Sequence, residues 1–79
     1  MRTDQMEQGR QTRARIVEFI GNYHAENHVA PSLQEIADGV GLASHNAVRN
    51  HLLALKADGK VTWVEGRYRT VRVVEALSA

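Results

Sequence analysis

Hydrophobic positions follow a helical spacing along most of the chain and change to a strand-like spacing near its end. The first helical face has the i, i+3, i+4, i+7 pattern that places side chains on one stripe, and it comprises Ile16, Phe19, Ile20 and Tyr23. We predict that this helix starts at about Gly9. It must end before Pro31, because a proline disfavours the helical conformation of the residue that precedes it.

A second and a third helix follow, separated by a short turn. Ser32 and Glu35 have the spacing of a capping box, which predicts a helix start, and Gly41 is suited to the left-handed conformation at a helix end. Gly39 lies inside the second helix at some cost to helicity. Ser44 is the predicted N-cap of the third helix. The two predicted buried faces are Leu33, Ile36, Ala37 and Val40, then Val48, His51, Leu52 and Leu55.

After Asp58-Gly59 the period changes to two. Residues 61–64 and 69–74 are rich in β-branched side chains and flank the turn-like residues 65–68, a pattern typical of a β-hairpin. The order α-α-α-β-β predicts a mainly α fold with a small β-hairpin, a three-helix winged helix-turn-helix. We expect a flexible N-terminus over residues 1–8, the winged domain over residues 9–74 and a tail over residues 75–79.

Composition narrows the setting and the partner. A chain of 79 residues forms one small domain. It has no cysteine, which excludes disulfides and favours a reducing, cytoplasmic location. It has no membrane-length apolar run and no secretory signal, so we expect no membrane partner. The net charge is only +1, but residues 43–79 carry six basic and three acidic side chains, which gives the second half a local field that attracts phosphate.

The third helix begins with small polar residues where an ordinary exposed helix would carry Glu and Lys. A helix in the major groove of DNA reads base edges near its N-terminus, with Asn pairing to adenine, Arg to guanine and Ala meeting a thymine methyl. The predicted base-contacting residues are Ser44, Asn46, Ala47, Arg49 and Asn50. The predicted backbone-contacting or hairpin residues are Ser32, His45, Leu53, Lys56, Lys60, Arg67, Tyr68 and Arg69.

Residues 11–74 resemble the N-terminal winged-helix domain of the LexA family, the bacterial SOS-response repressors. The matching segments are residues 16–20, 31–37, 41–48, 51–55, and 59–61 with the hairpin. The resemblance implies a repressor that reads an operator half-site with its third helix. LexA-type helices commonly carry acidic residues where this chain has Arg49 and Asn50, so we expect a different base preference. The family's self-cleaving, dimerising C-terminal domain is absent from these 79 residues, and self-cleavage is not expected of them.

Other functions are compatible with parts of the sequence. A winged helix that binds a partner protein and not DNA is the main alternative, since the net charge is low and Leu53 points outward. His24 and His28 have a spacing that places two imidazoles on one helix face, but no third ligand is evident, and we expect no metal or other cofactor. Trp63 is expected to cover the inner face of the hairpin rather than stack on bases. No arrangement of residues typical of a catalytic site is visible.

The favoured partner is double-stranded DNA. We expect a cytoplasmic, nucleoid-associated protein that binds a two-fold operator as a homodimer.

Overall fold

A computed structural model describes residues 2–67 and 69–74 of the chain, and for residues 2–8 it describes the backbone alone. Three helices precede a two-stranded antiparallel sheet, as the sequence predicts. Their bounds are α1 Arg2–Asn27, α2 Leu33–Val40, α3 His45–Ala57, β1 Val61–Thr62 and β2 Arg72–Val73. Helix α1 therefore starts at Arg2 and not near Gly9. None of the described helices is long and apolar enough to cross a bilayer.

The core lies where α1 packs against α2, α3 and β2, while β1 packs on α3. Every helix and the hairpin contribute buried side chains to it, among them Ile16, Ile20, Ile36, Ala37, Val40, Val48, Leu52, Leu55, Val61 and Val71. Phe19 and Leu33 of the predicted stripes are only partly buried and pack against this core. The aliphatic row of α3 is thereby anchored, which fixes the direction in which its opposite face points.

The predicted helix boundaries of α2 and α3 are confirmed in atomic detail. Ser32 Oγ accepts the backbone N–H of Glu35 at 3.1 Å, and Glu35 Oε1 accepts the backbone N–H of Ser32 at 2.8 Å, which completes the capping box. Gly41 ends α2 in the left-handed conformation with φ 78°. Ser44 caps α3 by accepting the backbone N–H of Ala47 at 3.2 Å. The turn between the two helices is therefore short and well defined at both ends.

The hairpin has a shorter ladder than the β-branched runs predict. In the described residues, Val61 pairs with Val73 and Thr62 with Arg72 between the strands, and the N–H of Val74 donates to the carbonyl of Lys60 at 2.9 Å. Beyond them, a side chain replaces backbone pairing: Thr70 Oγ1 accepts the N–H of Val64 at 2.9 Å. Among the described residues between 63 and 71, this contact of Thr70 and a backbone hydrogen bond from the Arg67 N–H to the Val64 carbonyl at 3.1 Å take the place of strand pairing.

Candidate nucleic-acid interface

Helix α3 presents its polar row to solvent and its aliphatic row to the core. Val48 and Leu52 are buried, whereas Asn46, Arg49 and Asn50 on the opposite side are exposed. Of the other residues predicted to contact DNA through α3, Ser44 and His45 are exposed, Ala47 is partly buried and Leu53 is 50% exposed. This face is covered by no other part of the described chain, so it is accessible to a macromolecular partner.

The start of α3 combines a free hydrogen-bond donor with an unneutralised helix end. Ser44 Oγ uses a lone pair to cap the helix, which leaves its hydroxyl proton available for a base or a phosphate. The first turn contains no acidic residue, so the partial positive charge of the helix N-terminus is not offset there. Both features favour an anionic or acceptor-rich partner at this end of the helix.

Gln34 connects the exposed side of α2 to the first turn of α3. His45 Nε2 and Gln34 Oε1 lie 2.7 Å apart, and Gln34 Nε2 donates to Asp38 Oδ1 at 2.9 Å. A hydrogen bond to the amide oxygen requires Nε2 of His45 to carry a proton. Gln34 therefore orients the imidazole beside the polar row. It was not among the predicted site residues, because no local pattern indicates a pair eleven positions apart.

The basic residues on and next to the hairpin that are predicted to contact the DNA backbone lie in different environments. Lys60 and Arg67 are exposed, Lys60 before β1 and Arg67 after the turn of the hairpin. Lys56, at the end of α3, lies over the ring of Trp63 with Nζ 4.4 Å from the centroid and 3.7 Å from Glu65 Oε2. Trp63 is partly buried against the core, as expected, and donates its Nε1–H to Glu65 at 3.0 Å. Tyr68 lies outside the described residues.

Ser32 and Arg69 make their polar contacts inside the fold. Ser32 is 7% exposed as the cap of α2. Arg69 donates from Nη1 to Glu35 Oε1 at 2.9 Å and from Nη2 to Glu35 Oε2 at 3.0 Å, and Nη1 also reaches the carbonyl oxygen of Ala30 at 3.0 Å. These contacts join the hairpin to the start of α2. The contact of either residue with a DNA backbone stays a prediction.

The ion pair between Glu35 and Arg69 shifts the pKa of both side chains. Hydrogen bonds from Arg69, and after them from the Ser32 backbone, lower the pKa of Glu35 from its ordinary value of 4.5 to about 2. The same hydrogen bonding raises the pKa of Arg69. Both side chains therefore stay charged at physiological pH.

A cleft of about 450 Å³ separates α3 and the start of α2 from the hairpin. Its lining includes Arg49 from α3 and Arg67 from the hairpin, with Leu52 and Trp63 among its apolar members. The cleft therefore carries a cation on each of these two elements, together with the carboxylate of Glu65.

His51 lies at the edge of the core on the side of α3 that faces α1. Its Nδ1 is 3.4 Å from Nη1 of Arg13, which satisfies one ring nitrogen, as expected from its position in the helix. Burial, and secondarily the charge of Arg13, lower the pKa of His51. His51 is thus a packing residue, and it lies outside the exposed row.

His24 lies in the last turn of α1, and His28 follows the end of the helix. His24 and His28 are both exposed, and His28 adopts a left-handed backbone conformation with φ 63° as the chain leaves α1. Among the described residues, no three His, Cys, Asp or Glu side chains are grouped closely enough to hold a metal ion.

Comparison with known proteins identifies the group to which this architecture is similar. The profile of the family described as LexA DNA binding domain matches residues 6–70. The LexA repressor of Aromatoleum aromaticum is 39% identical over 64 residues, covering 81% of this chain and 32% of that protein. LexA repressor 1 of Xanthomonas campestris is 41% identical over 61 residues, covering 77% and 30%. The LexA repressor of Azoarcus is 37% identical over 62 residues, covering 78% and 31%. The chain thus spans about a third of the length of these relatives.

Proposed function

Because the chain belongs to the family of LexA DNA-binding domains, we propose that it is the DNA-reading part of a transcriptional repressor. In this function, α3 enters the major groove of double-stranded DNA, and the hairpin contacts the backbone beside it. The family membership favours this function over a winged helix that binds only a partner protein.

The observation that carries the proposal is the division of α3 into a buried aliphatic row and an exposed polar row. Asn46, Arg49 and Asn50 project from the side opposite Val48 and Leu52. Amide and guanidinium groups can each make two hydrogen bonds with one base, which is the contact that separates adenine and guanine from the other bases. We assign base reading to Ser44, Asn46, Ala47, Arg49 and Asn50.

The cleft beside α3 supports a second set of contacts. A sugar–phosphate strand that follows the cleft would meet Arg67 on the hairpin while α3 reads the adjacent bases. His45 is the first residue of α3, and Lys60 lies three residues after its last residue. Both are exposed, near the two ends of the helix, where phosphates flank a groove-bound helix. These contacts set the register and the affinity, and they carry no sequence information.

The preferred base sequence should differ from that of relatives with acidic side chains on this face. A carboxylate accepts hydrogen bonds from cytosine, whereas Arg49 donates to guanine. We therefore expect a guanine where an acidic residue would select cytosine. Since one winged helix makes few base contacts, we further propose that two copies bind a two-fold operator.

Selection of bound duplexes from random double-stranded DNA tests the proposal directly. We expect a selected site containing a guanine opposite Arg49, and two inverted copies if the protein binds as a dimer. Affinity for that site, measured by fluorescence anisotropy at several salt concentrations, should fall log-linearly with salt. No enrichment of any sequence, or an affinity for duplex DNA that does not change with salt, would refute DNA reading and favour a protein partner.

A further inference from the structure

The hairpin has little backbone pairing to hold it in place. Its ladder consists of two residue pairs, Val61 with Val73 and Thr62 with Arg72. A two-stranded hairpin of this length is not stable by itself in water. The position of Arg67 relative to α3 therefore depends on side chains that connect the hairpin to the helices.

Besides the apolar packing of the hairpin on the core, two ion pairs connect its described residues to the helices, and they differ in quality. Lys56 and Glu65 are separated by 3.7 Å, and their side chains are 38% and 75% exposed, the kind of ion pair that contributes little. Arg69 and Glu35 form two parallel hydrogen bonds of 2.9 and 3.0 Å, with side chains 33% and 35% exposed. A bidentate guanidinium–carboxylate pair fixes orientation as well as distance.

The carboxylate of Glu35 is also held by a contact at the start of α2 that does not involve Arg69. Its Oε1 accepts the backbone N–H of Ser32 in the capping box, so the carboxylate is held at the start of α2. On the other side, Arg69 has a left-handed backbone conformation with φ 58°, which is unfavourable for a residue other than glycine. Such a conformation persists where tertiary contacts compensate for it, and here these include the bonds to Glu35, to the carbonyl of Ala30 and to the side chain of Tyr23.

We propose that Arg69 is a positioning residue that locks the hairpin to α2 through Glu35, and that this lock holds Arg67 at the phosphate backbone of bound DNA. The proposal replaces the phosphate contact that the sequence suggests for Arg69. It rests on the proposed DNA-binding function. It also predicts that Glu35, although negatively charged, has a positive effect on DNA affinity.

The direction in which Glu35→Gln changes DNA affinity distinguishes the two roles considered for Arg69, which are positioning the hairpin and binding a phosphate. Glutamine also fits the capping box, so α2 keeps its N-terminal cap while the ion pair is lost. With Arg69 as a positioning residue, Glu35→Gln should lower affinity for all duplexes by about tenfold, a change equivalent to 1.4 kcal/mol. Arg69→Gln should give a similar loss, and the double variant should lose no more than the single ones.

If Arg69 instead binds a phosphate, we expect different effects of both substitutions on DNA affinity. Removing the negative charge of Glu35 would then leave affinity unchanged or raise it, and Arg69→Gln would lower the salt slope by about one on its own. Either result overturns the proposal. Glu26→Gln is the matched control, because Glu26 is an exposed carboxylate on α1 that lines neither the cleft nor the hairpin.

A coupling measurement separates positioning from general destabilisation. Arg67→Ala should weaken DNA binding clearly in the wild type and much less in Glu35→Gln, since Arg67 is already displaced there. Equal losses in both backgrounds would show that the ion pair does not position Arg67. Melting temperatures of every variant identify any that are partly unfolded at the assay temperature.

Backbone NMR of the free protein tests the lock without DNA. In Glu35→Gln and in Arg69→Lys, amide order parameters of residues 64–70 should fall while those of α3 stay constant. Unchanged order in the hairpin would refute the lock. If the wild type fails to bind any duplex, the proposed function fails, and the NMR result still decides whether the hairpin is locked.

Discussion

Arg49 and Arg67 are exposed arginines that line the same cleft, and we propose different tasks for them in DNA binding. Arg49 projects from the polar row of α3, and Arg67 follows the turn of the hairpin. A side chain that meets a base edge discriminates among sequences, whereas one that meets a phosphate strengthens binding to all of them. The two residues therefore allow the reading face and the backbone contacts to be tested separately.

Replacing Arg49 with alanine should relax base preference at one position of each half-site. The expected loss of discrimination is about 1–3 kcal/mol, the usual contribution of a bidentate contact with guanine. Repeating the selection from random DNA with the variant, followed by titrations of single-base substitutions, measures it. If the variant selects the same base as strongly as the wild type, Arg49 does not read that position.

Replacing Arg67 with alanine should weaken binding to all duplexes by a similar factor. The slope of log affinity against log salt should become shallower by about one, because one phosphate contact is lost. Arg10→Ala is the control, since it removes an exposed arginine from α1, outside the cleft. A loss for Arg67→Ala that is confined to the selected site would instead place Arg67 at a base.

At the scale of whole elements, Gly39 determines how closely α1 and α2 pack. A Cβ added at Gly39 would lie 2.3 Å from a ring atom of Phe19, whereas one added at Gly21 would have no neighbour within 4 Å. Both glycines are inside helices without a positive φ, so each weakens its helix relative to alanine. Only Gly39 has a packing reason for lacking a side chain.

The two glycines should consequently respond in opposite directions to substitution by alanine. Gly21→Ala should raise the free energy of unfolding by about 0.5–1 kcal/mol through helix propensity alone. Gly39→Ala should lower it by about 1 kcal/mol, because displacing the Phe19 ring costs more than the propensity gain. Urea denaturation measures both. Stabilisation by Gly39→Ala would mean that the ring moves aside at little cost.

Helices α2 and α3 and the hairpin show which features could be predicted from the sequence. The caps at Ser32 and Ser44 and the stop at Gly41 depend on residues within four positions, so their patterns are readable directly. The ion pair between Glu35 and Arg69 spans 34 positions and depends on how the hairpin folds back, which no local pattern records. For the same reason, the sequence indicates only that Gly39 lowers the helix propensity of α2 and does not indicate its contact with Phe19. The β-propensity of the strands likewise predicts a longer hairpin ladder than the structure has.

In the candidate site, likewise, some features could be predicted from the sequence and others could not. The exposed row of α3 follows from helical periodicity once the aliphatic row is placed in the core. The contact of Gln34 with His45 and the cleft beside the hairpin require tertiary structure. Lys56 reads as a free cation in the sequence, whereas the fold places it over Trp63.

For the molecule as a whole, two titrating groups should make stability depend on pH in separate ranges. Neutral His51 is favoured in the folded state, so its pKa is lower there than the ordinary value of 6.5. As pH falls below that value, the unfolded chain binds a proton that the folded protein does not, and stability decreases. Glu35 behaves likewise at lower pH: its contribution is complete above 4.5 and is lost as pH falls to about 2.

Urea denaturation between pH 7.5 and pH 3 resolves these two ranges. His51→Gln, whose amide oxygen can still accept from Arg13, should remove part of the decrease between pH 7 and pH 5 and keep the decrease below pH 4.5. Glu35→Gln should do the reverse, because the amide does not titrate. His24→Gln changes an exposed histidine of α1 and serves as the control for the upper range. If His51→Gln and His24→Gln had the same pH profile as the wild type, burial and the charge of Arg13 would not hold His51 neutral in the folded protein. The Glu35→Gln profile would then show how much of the decrease at low pH comes from the carboxylate on α2.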